Sequence, residues 1–134
     1  MTTPDRVNFN EAAAAYLDAA KGWAEVSAAL AGAHERAREV KHALDLLEAQ
    51  VTLSPEVAAG RNAEERAAKL RLALAADGAW QRLRGEADSL SARAAVLSNE
   101  AVSARDALSL AKRIMDFETA WLRFLSREGG EQDG

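Results

Sequence analysis

Residues 9–53 decide the fold, and they read FNEAAAAYLDAAKGWAEVSAALAGAHERAREVKHALDLLEAQVTL. Apolar residues recur at every seventh position of this stretch, and a second apolar set follows the first by three positions. The first set is Phe9, Tyr16, Trp23, Leu30, Ala37, Leu44 and Val51, and the second is Ala12, Ala19, Val26, Ala33, Val40 and Leu47. This spacing, kept over six heptads, is typical of a long helix that packs in a coiled coil.

Both ends of this predicted helix carry recognisable signals. Asn8 or Asn10 suits the N-cap, and Glu11 then lies in the first turn, where a negative charge is favourable. Ser54-Pro55 predicts the end, because proline disfavours helical geometry at the residue before it. We therefore predict a long helix over 9–53, preceded by an N-terminal arm at 1–8.

Residues 79–126 contain a second repeat with the same spacing. Its apolar positions are Leu83, Ala87, Leu90, Ala94, Leu97, Ala101, Ala104, Leu108, Ala111, Met115, Leu122 and Leu125. Only Glu118 interrupts the pattern at a core position. Two helices of similar length that are joined by a short connection favour a long antiparallel helical hairpin. Such a hairpin brings the aromatic residues at the start of the first helix next to those at the end of the second.

The connection between the two repeats predicts a further helix. Asn62 followed by Glu65 is close to a capping box, with Asn62 as the N-cap and Glu65 at the third helical position. We therefore predict a connection over 54–62 and a helix over 63–77. An extended connection would be long enough to run the full length of that helix.

Glycine residues mark two further boundaries. Asp77-Gly78 either separates the 63–77 helix from the second long helix or only kinks it, and we favour a kinked or continuous helix. Gly129 and Gly130 follow the last repeat, so we expect residues 127–134 to form a flexible tail.

The composition favours an all-α fold in a single domain. The chain of 134 residues contains 32 Ala and 16 Leu but only 8 Gly and 2 Pro, so strong helix formers dominate. It contains no Cys, which excludes thiol nucleophiles, disulfides and thiolate metal sites. No apolar stretch is long enough to cross a membrane, and residues 1–10 do not resemble a secretory signal. We expect a soluble, cytoplasmic protein.

The end of the second long helix has more apolar surface than one partner helix can cover. Beside its predicted seam lies a second apolar set, formed by Leu110, Ile114, Phe117, Trp121 and Phe124. Large exposed apolar patches usually mark interfaces, so we expect a homo-oligomer, most simply a dimer that forms a helical bundle. The expected interface adds the aromatic residues of the first helix, Phe9, Tyr16 and Trp23. In the alternative, the N-terminal segment or the 63–77 helix folds back over this patch.

No catalytic constellation is recognisable, and we expect neither enzymatic activity nor a cofactor. Glu39 and His42 have the Glu-x-x-His spacing of di-iron bundles, but such sites need a second copy of the motif and two further Glu residues. Glu118 is either a functional buried acid or a structural residue that pairs with Lys21 or an Arg or lies at a wet edge of the bundle, and we favour the structural account. A metal- or small-ligand-binding bundle that uses Glu39, His42 and Glu118 stays open as an alternative.

Basic residues cluster around the start of the predicted 63–77 helix. They are Arg61, Arg66, Lys69 and Arg71, and together with Asn62 they are candidate contacts for a partner or an anion, because helix N-termini favour negative charge. Residues 54–78 contain equally many acidic residues, however, and the whole chain has a net charge of −4. DNA-binding domains usually have a basic excess. We therefore favour a protein partner over nucleic acid and expect no membrane partner.

The segment from Ala59 to Leu70 resembles a connection found in small helical proteins encoded by bacteriophages and prophages. In those proteins a Gly-Lys-Asn-Ala-Glu-Glu-Arg-like segment joins two long helices, and here Gly60-Arg61-Asn62-Ala63-Glu64-Glu65-Arg66 matches it with Arg61 in place of Lys. The resemblance implies a phage accessory protein, often encoded near replication or recombination genes, and it implies no catalytic residues. We expect a non-enzymatic, oligomeric protein that acts through protein–protein interaction. A nucleic-acid-associated factor that uses the basic cluster is the alternative.

Overall fold

The computed structural model of the chain describes residues 8–132, with side chains through residue 128. This part of the chain forms the helices α1 (Phe9–Thr52), α2 (Pro55–Ala58), α3 (Ala63–Ala76) and α4 (Gly78–Gln132) and contains no strand. Helices α1 and α4 pack against each other. The prediction of an all-α fold with two long, mutually packed helices is thus confirmed. Most of the predicted N-terminal arm, at 1–7, lies outside the described residues.

Asn8 caps the first long helix. Its Oδ1 accepts a hydrogen bond from the backbone N–H of Glu11 at 2.9 Å, which satisfies one of the N–H groups that have no partner inside the helix. Asn8 rather than Asn10 is therefore the N-cap. Helix α1 ends at Thr52, one residue before the predicted end, and Ser54 is extended in front of Pro55.

The buried residues of α1 and α4 all lie at predicted seam positions. They are Ala12, Ala33, Val40 and Leu44 in α1, and Leu97, Ala101, Ala111 and Glu118 in α4. Four of these eight are alanines, which let two helices approach closely but each remove little apolar area from water. Among the described residues, the largest fully buried side chains are only those of Val40 and Val57. Alanine therefore makes up half of the buried seam positions, and Leu44 and Leu97 are the largest buried apolar side chains among them.

The chain forms two compact units, each with a core of its own. The first unit combines Met1–Ala29 with Leu97–Gly134, and its buried residues are Ala12, Leu97, Ala101, Ala111 and Glu118. The second unit is Leu30–Val96, and its buried apolar residues are Ala33, Val40, Leu44, Val57 and Leu74. Helices α2 and α3 both belong to the second unit and contact each other there.

The connection at 54–62 is not extended, in contrast to the form considered from the sequence. Pro55 starts the short helix α2, where its missing N–H removes no helical hydrogen bond. The N–H groups of Ala58 and Ala59 donate to the carbonyls of Ser54 and Pro55 at 2.9 and 3.0 Å. Helix α2 buries Val57, which is 2% exposed. This buried side chain explains why the connection is ordered as a helix.

The favoured prediction of a kinked or continuous helix from 63 into the second repeat is wrong, because α3 and α4 are separate helices with Asp77 between them. Asp77 is extended, with φ −84° and ψ 116°, and its Oδ1 accepts a hydrogen bond from the N–H of Trp80 at 2.9 Å. The N–H of Asp77 donates to the carbonyl of Leu74 at 3.1 Å. Asp77 thus ends α3 and at the same time caps α4, so that α3 is a separate helix.

The second long helix is longer than predicted. It continues through Gln132, so residues 127–132 are helical rather than part of a tail. No glycine of the described chain has a positive φ, and Gly129 and Gly130 therefore do not adopt the left-handed conformation that ends many helices. Helix α4 has 55 residues and α1 has 44, so α4 is the longer of the two.

Candidate functional site

The main candidate site is an apolar stripe on α4, in the first unit. It consists of Leu110, Ile114, Phe117, Trp121 and Phe124, which we call the outer stripe. Leu110 is 59% exposed, Phe117 62% and Phe124 49%, whereas Ile114 and Trp121 are half-buried. The outer stripe is therefore a continuous apolar surface that the described chain leaves largely open.

The aromatic residues of the outer stripe form an open groove. Phe117, Ala120, Trp121 and Phe124 line it, and its volume is about 270 Å³. The rings of Trp121 and Phe124 stack, with centroids 5.6 Å apart and an angle of 28° between their planes. Stacked rings on one helix face give a partner a rigid surface to pack against.

The outer stripe is distinct from the seam that packs within the unit. Seam residues Ala111 and Glu118 are buried, whereas Leu122 and Leu125 at the end of the seam are each 46% exposed. Each outer-stripe position lies one residue before a seam position. One residue corresponds to about 100° around a helix. The end of α4 therefore presents two apolar faces, and α1 can cover only one of them.

The remaining predicted interface residues lie on α1 in the same unit. Phe9 is 39% exposed, and Tyr16 and Trp23 are half-buried. All six aromatic residues that the hairpin was expected to bring to one end thus belong to the first unit. Leu17, which is 68% exposed, was missed because it lies outside the heptad positions.

Of the two segments considered as covers of the outer stripe, one is helix α3, which belongs to the second unit. Helix α3 packs with α2 in the second unit, and Phe117 keeps 62% of its surface exposed. The N-terminal segment, at 1–7, lies outside the described residues.

The basic cluster is partly used in local contacts. Nη1 of Arg66 donates a hydrogen bond to the carbonyl of Gly60 at 3.1 Å, and Nζ of Lys69 lies 3.4 Å from Oε1 of Glu65. Arg61 and Arg71 are exposed. Two of the four cations thus stabilise the start of α3, which weakens the interpretation of this cluster as a site for nucleic acid.

Asn62 and Glu65 form the predicted caps at the start of α3. Oδ1 of Asn62 accepts a hydrogen bond from the N–H of Glu65 at 2.8 Å. Oε2 of Glu65 accepts one from the N–H of Arg61 at 3.3 Å, one residue earlier than in a standard capping box. Asn62 therefore has a structural role, since its side-chain oxygen is already bound.

The residues of the metal-bundle hypothesis do not form a ligand cluster in the described part of the chain. Glu39 accepts a hydrogen bond from Nη1 of Arg36 at 3.1 Å, and Glu86 accepts one from Nε of Arg36 at 2.7 Å. These hydrogen bonds, first that to Glu86 and then that to Glu39, raise the pKa of Arg36 above its usual value. Within residues 8–132 no group of three or more His, Asp or Glu is arranged to hold a metal. Glu118 is buried, at 3% exposure.

A second groove lies between α2 and α3, with a volume of about 470 Å³. Its lining includes Glu56, Lys69 and Leu72, and Leu72 is 73% exposed. Sequence reasoning missed this groove because a helix of one turn has no periodicity that would reveal it.

None of the described helices is apolar over a long enough stretch to cross a membrane. No protein-family model, no curated protein and no solved structure matches the chain. The resemblance of Gly60–Arg66 to phage proteins therefore stays a prediction.

Proposed function

We propose that this is a non-enzymatic helical protein that acts through protein–protein interaction and associates with itself through the outer stripe. The observation that carries the proposal is the exposure of Leu110, Phe117 and Phe124 on one face of α4. The 3–4 spacing of the stripe is that of a coiled-coil seam, so the partner that fits it is another helix.

The outer stripe offers apolar burial of the order that a reversible dimer requires. Burying a large apolar side chain contributes about 1.5–3 kcal/mol relative to leaving it exposed. Two copies of the stripe supply six largely exposed side chains and four half-buried ones. The free energy gained by burying these side chains is of the same order as the cost of association. That cost is about 4–15 kcal/mol for lost translational and rotational freedom.

Light scattering of the purified chain over a range of concentrations tests this proposal. We expect a mass of two protomers that falls to one on dilution. Phe117→Asp introduces a charge in the middle of the outer stripe and should give a monomer at every concentration. A wild-type chain that stays monomeric at high concentration contradicts the proposal.

Val102→Asp is the matched control variant. Val102 is 47% exposed on the same helix and in the same unit, but it lies outside the outer stripe. We expect Val102→Asp to dimerise like the wild type. Circular dichroism of both variants should show unchanged helicity, which separates loss of the interface from loss of the fold.

We further propose that the protein is a phage or prophage accessory factor that works in the cytoplasm of the host. The resemblance carried by Gly60–Arg66 supports this assignment. The genes adjacent to its own test it: phage replication, recombination or structural genes are expected there, and a conserved set of unrelated metabolic genes would contradict it.

A further inference from the structure

We infer that the outer stripe pairs with the same stripe of a second copy in an antiparallel arrangement, with Ile114 opposite the partner's Phe117. This inference rests on the proposed self-association and specifies its partner, orientation and register. It follows from the positions of the apolar residues on α4 and from the charges beside them.

The spacing of the outer stripe defines two kinds of coiled-coil position. Ile114 and Trp121 are seven residues apart and occupy a positions. Leu110, Phe117 and Phe124 are likewise seven apart and occupy d positions. In an antiparallel pair of helices, an a position faces a d position of the other helix. The stripe can therefore pair with itself in registers that differ by one heptad.

One of these registers matches every large apolar residue with an apolar partner. It sets Ile114 opposite the partner's Phe117, Trp121 opposite the partner's Leu110, and Phe124 opposite the partner's Ala107. Moving the second copy by one heptad in one direction places Leu110 against the partner's Glu128. Moving it in the other direction leaves Trp121 and Phe124 without facing stripe residues.

The charges beside the outer stripe favour the same register. The positions that flank it on the side away from the seam include Asp106, Arg113 and Arg127, all of them exposed. In the matched register Asp106 lies next to the partner's Arg127, and two-fold symmetry forms this pair twice. In the register that brings Leu110 to the partner's Glu128, Arg113 lies next to the partner's Arg127, which is repulsive.

Two other arrangements of a second copy fit less well. In a parallel pair Asp106 and the partner's Arg127 are 21 residues apart along the helices, roughly 32 Å, so these charges cannot meet. The exposed side of α1 near its start carries Leu17, which is 68% exposed, but also the exposed acids Glu11, Asp18 and Glu25, so packing the stripe there would bring it close to these acids. An apolar stripe gains little by burying such side chains.

Site-directed cross-linking tests the orientation and register directly, because the chain has no natural Cys. Asp106→Cys and Arg127→Cys are prepared separately in the full chain, mixed at dimer-forming concentration and treated with a short bismaleimide. We expect a covalent dimer mainly from the mixture and little from either variant alone. Cross-linking of Asp106→Cys to itself would indicate a parallel pair and overturn the inference.

Charge exchange gives an independent measurement with an internal rescue. Asp106→Arg or Arg127→Asp alone converts two attractive pairs into two repulsive ones, and each should raise the Kd of the dimer by about 10-fold. The double variant restores both attractive pairs and should return to within about 3-fold of the wild type. A double variant that is weakened as much as the product of the single effects overturns the pairing.

These experiments distinguish failure of the antiparallel register from failure of the proposed self-association. A wild-type dimer that Phe117→Asp abolishes, but that cross-links in another pattern, leaves self-association intact and refutes the register. A chain that is monomeric at every concentration refutes both.

Discussion

Gly60 precedes α3 and lies close to Arg66 in the first turn of that helix. A Cβ at this position would lie 2.6 Å from Cγ and 3.0 Å from the backbone nitrogen of Arg66. The Arg66 side chain is not free to turn away without cost, since its Nη1 is bonded to the carbonyl of Gly60. We expect Gly60→Ala to lower the free energy of unfolding by about 1–3 kcal/mol, as overpacking does elsewhere. Chemical denaturation followed by circular dichroism measures this change.

Gly32→Ala is the control for this substitution. A Cβ at Gly32 would meet no atom within 4 Å, and the residue lies in the interior of α1. Alanine there should raise the free energy of unfolding by about 0.5–1 kcal/mol, because it removes the entropic cost of glycine in a helix. Equal changes in the free energy of unfolding at the two positions would show that the close approach of Gly60 to Arg66 does not affect stability.

Asn62 provides the second prediction for a single residue. Asn62→Ala removes the Oδ1 that caps the N–H of Glu65. It should lower the free energy of unfolding by about 1 kcal/mol. Asn62→Asp keeps an acceptor oxygen at the same place and should retain nearly all of the stability. The thermal unfolding midpoints of the two variants check this, and a loss as large in Asn62→Asp as in Asn62→Ala would contradict the capping role.

Some of these residue roles could be predicted from the sequence and others could not. The cap at Asn62 is a local pattern of four residues, and the burial of Glu118 follows from its heptad position. The constraint at Gly60 depends on a side chain six residues away in a different element. Nothing in the local sequence shows that these two parts of the chain lie within van der Waals distance.

At the scale of the helices, the non-helical residue Asp77 separates α3 from α4. Asp77 caps α4 through Trp80, and Gln81 Nε2 binds the carbonyl of Ala75 at the end of α3 at 3.2 Å. We expect Asp77→Ala to destabilise the chain by about 1 kcal/mol through loss of the cap. Thermal unfolding followed by circular dichroism measures the effect.

The neighbouring residue is the control for Asp77. A Cβ on Gly78 would meet no atom within 4 Å, and Gly78 is the first residue of α4. Gly78→Ala should therefore be neutral or slightly stabilising. A destabilisation by Gly78→Ala as large as that by Asp77→Ala would indicate that the break depends on glycine and not on the cap.

The long helices were predictable because each repeats a spacing many times, whereas short elements and breaks depend on a few atoms. Helix α2 has only four residues, too few for a periodic pattern, and it depends on the burial of Val57. The dipeptide Asp77-Gly78 is compatible with a kink as well as with a break. The side-chain bond from Asp77 to Trp80 decides between them, and composition does not predict it.

At the scale of the whole molecule, the proposed self-association through the outer stripe would make stability depend on protein concentration. Partner binding stabilises the folded state by mass action. We expect the thermal unfolding midpoint of the wild type to rise with protein concentration and that of Phe117→Asp to stay constant. A wild-type midpoint that is independent of concentration over a hundredfold range contradicts this expectation.

The outer stripe itself could be identified from the sequence, because five large apolar residues exceeded what one partner helix can cover. Its occupant could not be identified in the same way. Apolar spacing predicts that a helix packs there, but the identity of that helix depends on the match of Asp106 and Arg127 across a register. The pairing of Asp106 with Arg127 can be recognised only after the seam and the outer stripe have been assigned to separate faces of α4.

The alanine-rich core has a consequence for how long the protein persists in a cell. Because seam residues such as Ala12, Ala33 and Ala101 bury little area, an unassembled copy opens more often than an assembled one, and opened chains are degraded. Copies made in excess of their partners should therefore be removed by proteases. We expect Phe117→Asp to have a shorter half-life than Val102→Asp in a pulse-chase experiment, so that assembly sets the abundance of the protein.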